Sequence, residues 1–142
     1  MNEINYAGVL KGGIPAGIIM NISEFILNDP IAGARMNAEL ASHNLPPVGT
    51  GAIVTFTVLT LLLGIATVWL YAAIRPRLGP GPRTAMCAGL IVWSLSYLYS
   101  SIAFGVLGIN SMGLVLLVIV WSAIEMIVAS AVGGYLYSES TT

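Results

Sequence analysis

The chain has 142 residues, of which 57% are hydrophobic and only 8% are charged, with a net charge of −1. Because a soluble domain carries about a quarter charged residues, this composition excludes one, and five Lys and Arg residues exclude a nucleic-acid-binding module, which needs a basic surface. One cysteine and one histidine exclude a disulfide framework and a Cys/His metal centre, and we expect no cofactor. A mean hydropathy of +0.91 then predicts an all-α integral membrane protein.

Four apolar segments each reach the roughly 20 residues that a membrane-spanning helix needs. They are Tyr6–Leu27, Gly51–Ile74, Thr84–Leu107 and Met112–Tyr137. We therefore predict a single membrane domain that forms a four-helix bundle.

The first segment is the most polar of the four. Gly13, Gly17, Asn21 and Glu24 lie along one helical stripe, and the two glycines form the GxxxG pattern of closely packed membrane helices. A carboxylate at membrane depth is costly and usually faces a bundle interior or a wet cavity. The alternatives are that Glu24 meets interfacial water or pairs with Arg35 of the following loop.

The loop after the first segment is about as long as a helix. Asp29 before Pro30 is typical of a helix N-cap followed by proline at the first helical position. We predict a short amphipathic helix over Ile31–Ser42 on the outer surface, with an irregular loop as the alternative. His43, the only histidine, is expected to be solvated.

Arginine clusters in the loop between the second and third segments, as Arg75, Arg77 and Arg83. The positive-inside rule places this loop in the cytoplasm, and both termini with it. The same three side chains are candidates to bind anionic lipid headgroups.

The last two segments add polar groups at mid-membrane depth. The third carries Ser94 and Tyr97, and the fourth carries Trp121 and Glu125 on a stripe that continues to small residues, Ala129 and Gly133. The first and fourth helices run in opposite directions, so Gly13 and Gly17 come level with Ala129 and Gly133.

This arrangement predicts that the first and fourth helices close in the cytoplasmic half and part in the outer half. An open polar notch would then lead to Glu125 and Tyr97. Because burial penalises the charged form, we expect a carboxyl there to be protonated. The alternative is a neutral structural acid bonded to Tyr97 or Ser94.

Three stretches together resemble a family. They are GIIMNISEF (Gly17–Phe25), WLYAAIRPRLGPGPRT (Trp69–Thr84), and WSAIE (Trp121–Glu125) with a closing GYLY (Gly134–Tyr137). The chain is similar to uncharacterised small four-helix bacterial integral membrane proteins with this arginine- and glycine-rich loop. The resemblance implies a bacterial inner membrane and the topology above, and it implies no activity.

Three functions compete. We rank first a non-enzymatic subunit of a homo-oligomer or a larger membrane complex, because the chain is small and its glycine faces suit helix contacts. Second is a small transporter or channel that handles protons or cations through Glu24 and Glu125. Third is a lipid-modifying enzyme with Glu24 and His43, for which no nucleophile or metal motif is present.

Overall fold

The computed structural model describes residues 4–139, and within them every regular element is helical. The α-helices are α1 (Tyr6–Ile26), α2 (Gly33–Ser42), α3 (Thr50–Leu78), α4 (Pro82–Trp93), α5 (Tyr99–Val106) and α6 (Met112–Leu136). Two π turns, Leu27–Ile31 and Ser94–Leu98, join α1 to α2 and α4 to α5.

Four helical stretches are long and apolar enough to cross a membrane. They are Tyr6–Ile31, Thr50–Leu78, Pro82–Val106 and Met112–Leu136. Large apolar side chains on all four point away from the bundle, among them Ile22, Phe56, Leu90 and Ile124. The predicted all-α bundle is confirmed. A continuous apolar surface is favourable in contact with lipid and unfavourable in contact with water, so this surface indicates a multi-pass membrane protein.

The bundle has two distinct ends. At the turn end, α3 joins α4 through Gly79 and Gly81, whose φ angles of 84° and 127° favour glycine. The first and last described residues approach the same end, where Asn5 donates to the Ser138 carbonyl at 2.9 Å. At the opposite end, called the α2 end below, α2 lies beside the loop between α5 and α6.

The GxxxG pattern of α1 packs against α3. A Cβ atom added to Gly13 would lie 2.6 Å from Ile65 Cα, and one added to Gly17 would lie 2.9 Å from Leu61 Cα. Gly64 completes this contact, since a Cβ there would meet the Gly17 backbone. The predicted pairing of Gly13 and Gly17 with Ala129 and Gly133 is therefore wrong.

Helix α6 meets a different face of α1. A Cβ atom added to Gly133 would lie 3.1 Å from both the Ala16 Cβ and the Gly12 carbonyl oxygen, and Ala129 is buried nearby in the core. The first segment thus has two small-residue faces, each with the four-residue spacing of close packing. Spacing alone does not tell which neighbour each face meets.

The chain leaves α1 without the predicted cap. Helical turns continue through Asp29 and Pro30, and the Ala32 N–H donates to the Leu27 carbonyl at 2.8 Å in a π turn. Helix α2 therefore begins at Gly33 and has no side-chain cap. Its apolar side packs Met36 against a small cluster of Leu27, Ala32 and Leu114.

Polar contacts fix α2 to the α5–α6 loop. Arg35 pairs with Glu39 at 3.4 Å and donates to the Ser111 hydroxyl at 2.8 Å. Glu39 accepts from the Ser111 amide at 3.1 Å and from its hydroxyl. The alternative in which Arg35 pairs with Glu24 is wrong, because Arg35 is bound within this group.

His43 joins the same contact. Its Nε2 lies 3.0 Å from the Ile109 carbonyl oxygen, and because a carbonyl only accepts, Nε2 must carry the proton. His43 is exposed, as expected of a loop histidine, and its ring also bonds the end of α2 to the opposite loop.

Candidate functional site: an intramembrane acid cluster

Glu125 lies next to the midpoint of the 25-residue helix α6 and is only 4% exposed. The hydroxyl group of Tyr97 donates to its Oε1 at 3.2 Å. Tyr97 belongs to the π turn that interrupts the third membrane-spanning stretch. Such turns are rare and occur often at functional sites, where they redirect a side chain.

Glu24 approaches the same tyrosine from α1. Its carboxyl group is near enough to act on the Tyr97 hydroxyl electrostatically, but the hydrogen bond of that hydroxyl goes to Glu125. Its Oε2 accepts from Asn28 Nδ2 at 2.6 Å, on the side of the α2 end. Glu24 is half-buried, so it lies between the exposed Asn28 and the buried Glu125.

Trp121 and Ser23 close the gap between α1 and α6. The indole Nε1 of Trp121 donates to Ser23 Oγ at 2.9 Å. An open notch was expected here. At this level the side chain of Trp121 bridges the two helices through its indole–hydroxyl bond.

These five residues, Ser23, Glu24, Tyr97, Trp121 and Glu125, are called the acid cluster below. Its one fully buried polar atom without a hydrogen bond is Glu125 Oε2. A buried carboxylate oxygen with no donor is costly, and such atoms in a native structure often mark a functional role.

Two of the predicted site residues lie outside the cluster. Asn21 donates to the Gly17 carbonyl at 2.9 Å and to the Thr57 carbonyl at 3.2 Å, so it continues the face that packs on α3. Ser94 is exposed and donates to the Leu90 carbonyl of its own helix at 2.8 Å. Tyr97, and not Ser94, is therefore the partner of Glu125.

Sequence reasoning overlooked two serines. Ser23 links α1 to Trp121, and Ser122 accepts from Trp93 Nε1 at 3.0 Å between the third and fourth membrane-spanning stretches. Each was a lone serine beside a residue already of interest, Glu24 or Trp121. In a membrane helix, a serine can equally bond its own backbone, so the signal was weak.

On the turn side of the cluster, the bundle interior is filled by apolar residues. Met20 and Met126 are fully buried and Ala129 is 1% exposed. Beyond them, the backbones of α1 and α6 meet at Gly12 and Gly133. The acid cluster is thus separated from the turn end by close packing.

The three arginines of the turn end differ in their contacts. Arg75 pairs with Glu139 at 3.0 Å and lies over the Tyr137 ring, 5.6 Å from its centroid. Arg77 and Arg83 are exposed. Arg75 therefore holds the chain end to α3, which narrows the set of lipid-binding candidates to Arg77 and Arg83.

Within residues 4–139, no group of three or more His, Cys, Asp and Glu side chains is placed to hold a metal ion. The fold and the site together define a four-helix membrane-type bundle with a buried acid cluster. Comparison with family models, curated proteins and solved structures finds no match to this chain.

Proposed function

We propose that the chain is a non-enzymatic integral membrane protein that serves as a structural or accessory subunit. It would belong to a homo-oligomer or a larger complex of the bacterial inner membrane. Both termini and the arginine-containing turn would face the cytoplasm, because three of the five basic residues are in that turn.

The observation that supports this role is the closed half of the bundle. Backbone contacts of Gly17 with Gly64 and of Gly12 with Gly133 join α1 to both α3 and α6. Fully buried Met20 and Met126 fill the space between these contacts and the acid cluster. A transport cycle would have to separate these backbones, whereas a static subunit would not.

Lipid contact would occur at the turn end. Exposed Arg77 and Arg83 would meet the headgroup region there, and a cationic side chain near an anionic leaflet is attracted by about 1 kcal/mol. Native mass spectrometry in mixed lipid should retain more anionic lipid on the parent than on Arg77→Gln/Arg83→Gln.

A mass measurement tests the subunit role. The protein should be extracted at its native level in a mild detergent, and its complexes weighed. A subunit predicts masses above the 14.9 kDa of one chain, made of several copies or of additional chains. A monomer alone, in detergent and in native membrane particles alike, would contradict the proposal.

The second candidate is a small proton- or cation-coupled transporter, which the two carboxylates beside Tyr97 favour. Proteoliposomes containing a pH-sensitive dye separate the two functions. As a subunit, the protein should give no gradient-driven flux above empty vesicles. Reproducible flux that Glu24→Gln abolishes would establish transport instead, because a neutral amide cannot carry the proton.

A further inference from the structure

We propose that a groove along α4 binds an anionic phospholipid, with the phosphate group of the lipid at Arg83 and one acyl chain lying along the helix. This rests on the proposed function, whose lipid contact it assigns to one arginine and to a defined class of ligand.

The groove lies on the apolar surface of the bundle and has a volume of about 470 Å³. Arg83 lies at one end and Ser94 at the other, and the walls between them are Met86, Cys87, Leu90 and Ile91 from α4 and Ile127 from α6. The hydroxyl group of Ser94 is donated to the Leu90 carbonyl at 2.8 Å, so it is not available to a polar ligand. This lining suits an acyl chain.

The length of the groove matches one leaflet of a bilayer. At a rise of about 1.5 Å per residue, the helix from Arg83 to Ser94 is about 16 Å long. Half of a hydrocarbon core of about 30 Å is about 15 Å. A lipid whose headgroup lies at the Arg83 end would therefore extend its chain to mid-membrane depth at Ser94.

The charge of Arg83 selects the headgroup. Arg83 is exposed, and no acidic side chain of residues 4–139 pairs with it, whereas Arg75 is paired with Glu139. A guanidinium group binds phosphate through parallel N–H donors, and the apolar stem of arginine lets the charge reach the headgroup region. Arg77 is also exposed but does not line the groove, so it offers charge without a place for the chain.

A second groove, along α5, provides a comparison within the same molecule. Its volume is about 400 Å³, and none of the residues that line it is charged: Tyr99, Ile102, Ala103, Val106 and Leu107. It should accept an acyl chain without preference among headgroups, because nothing in its lining attracts a phosphate group.

Photocrosslinking in lipid vesicles tests the site. Two probes carry the same diazirine halfway along one acyl chain and differ only in the headgroup, which is anionic phosphatidylglycerol or zwitterionic phosphatidylcholine. Peptide mass spectrometry should find the anionic probe on residues 86–91 at roughly five times the yield of the zwitterionic probe, the ratio that one cationic side chain near an anionic leaflet supplies. Residues 99–107 should react equally with both probes.

Arg83→Gln should remove the preference at residues 86–91, and Arg77→Gln is the matched control that should keep it. Unchanged labelling of residues 99–107 shows that a variant is folded. Equal yields of the two probes in the parent would overturn the proposal, as would a preference that survives Arg83→Gln. The same loss in both variants would also overturn it, because diffuse surface charge would then be the cause.

Absence of label on residues 86–91 from either probe would overturn the site as well, since a protein partner would then cover the groove. The subunit role stands or falls separately, on the mass of the complex. A monomer with labelling that depends on Arg83 would contradict the subunit and retain the lipid site. A complex without that labelling would do the reverse.

Discussion

The backbones of Gly17 in α1 and Gly64 in α3 touch: a Cβ atom added to Gly64 would lie 2.5 Å from Gly17 Cα. The GxxxG pattern of the first segment therefore joins it to its neighbour in sequence. This contact leaves the other small face of α1, with Gly12 and Ala16, for α6.

Gly17→Leu should destabilise the bundle, because the larger side chain must separate α1 from the Leu61 backbone. We expect a lower midpoint of thermal unfolding for the purified protein. Gly51→Ala is the matched control, since an added Cβ there meets nothing within 4 Å. Equal loss of stability in both variants would mean that close packing at Gly17 is not the cause.

The Trp121–Ser23 bond should contribute a modest coupling between α1 and α6. Interhelical hydrogen bonds in membranes average about 0.6 kcal/mol. A double-mutant cycle with Ser23→Ala and Trp121→Phe, measured by reversible unfolding, should give a favourable coupling of that order. Ser94→Ala in the same cycle should give none, because Ser94 bonds only its own helix. A coupling energy of zero between Ser23 and Trp121 would mean that the indole and the hydroxyl group are not hydrogen-bonded.

The docking of α2 should weaken in acid. Burial by itself raises the pKa of Glu39, but hydrogen bonds from Ser111 and the charge of Arg35 outweigh burial and lower this pKa below its ordinary value of 4.5. A lowered pKa means that the contribution to stability is complete above 4.5 and is lost as the pH falls through the folded-state value.

Hydrogen-exchange protection factors of α2 should therefore fall on acidification below pH 4.5, whereas those of central α6 should not follow the same titration. Glu39→Gln should make α2 protection nearly independent of pH in that range. The effect should shrink in high salt, because Arg35 is half exposed. Unchanged α2 protection in the parent would mean that Glu39 does not hold the helix.

Topology can be tested with single cysteines in a Cys87→Ser background. If the arginine-containing turn is cytoplasmic, an impermeant reagent outside the cell should label Ser42→Cys in α2 and should not label Leu78→Cys at the end of α3. Both positions are exposed, so accessibility to the reagent reports the side of the membrane. Lysed cells provide the control in which both should react. Labelling of Leu78→Cys in intact cells would reverse the orientation.

The sequence by itself determined the four apolar helices, because the length and hydropathy of a segment decide whether it can span a bilayer, and both are properties of the segment alone. It also identified Glu24, Tyr97 and Glu125, since charged or hydroxyl groups at membrane depth are conspicuous whatever their neighbours. It could not assign partners. The faces of α1 that hold Gly13 and Gly12 have the same spacing, and only packing decided that the first meets α3 and the second α6.

The same limit explains the errors at the acid cluster. Ser94 and Tyr97 lie three residues apart, so an ideal helix would have left them as equal candidates; in the structure Ser94 bonds its own helix and the Tyr97 hydroxyl donates to Glu125. The sequence allowed Arg35 to pair with Glu24. In the structure α2 docks on the α5–α6 loop, and Arg35 bonds Ser111 there instead. Hydropathy fixes which segments enter the membrane, whereas helix rotation and loop docking depend on contacts between residues far apart in the chain.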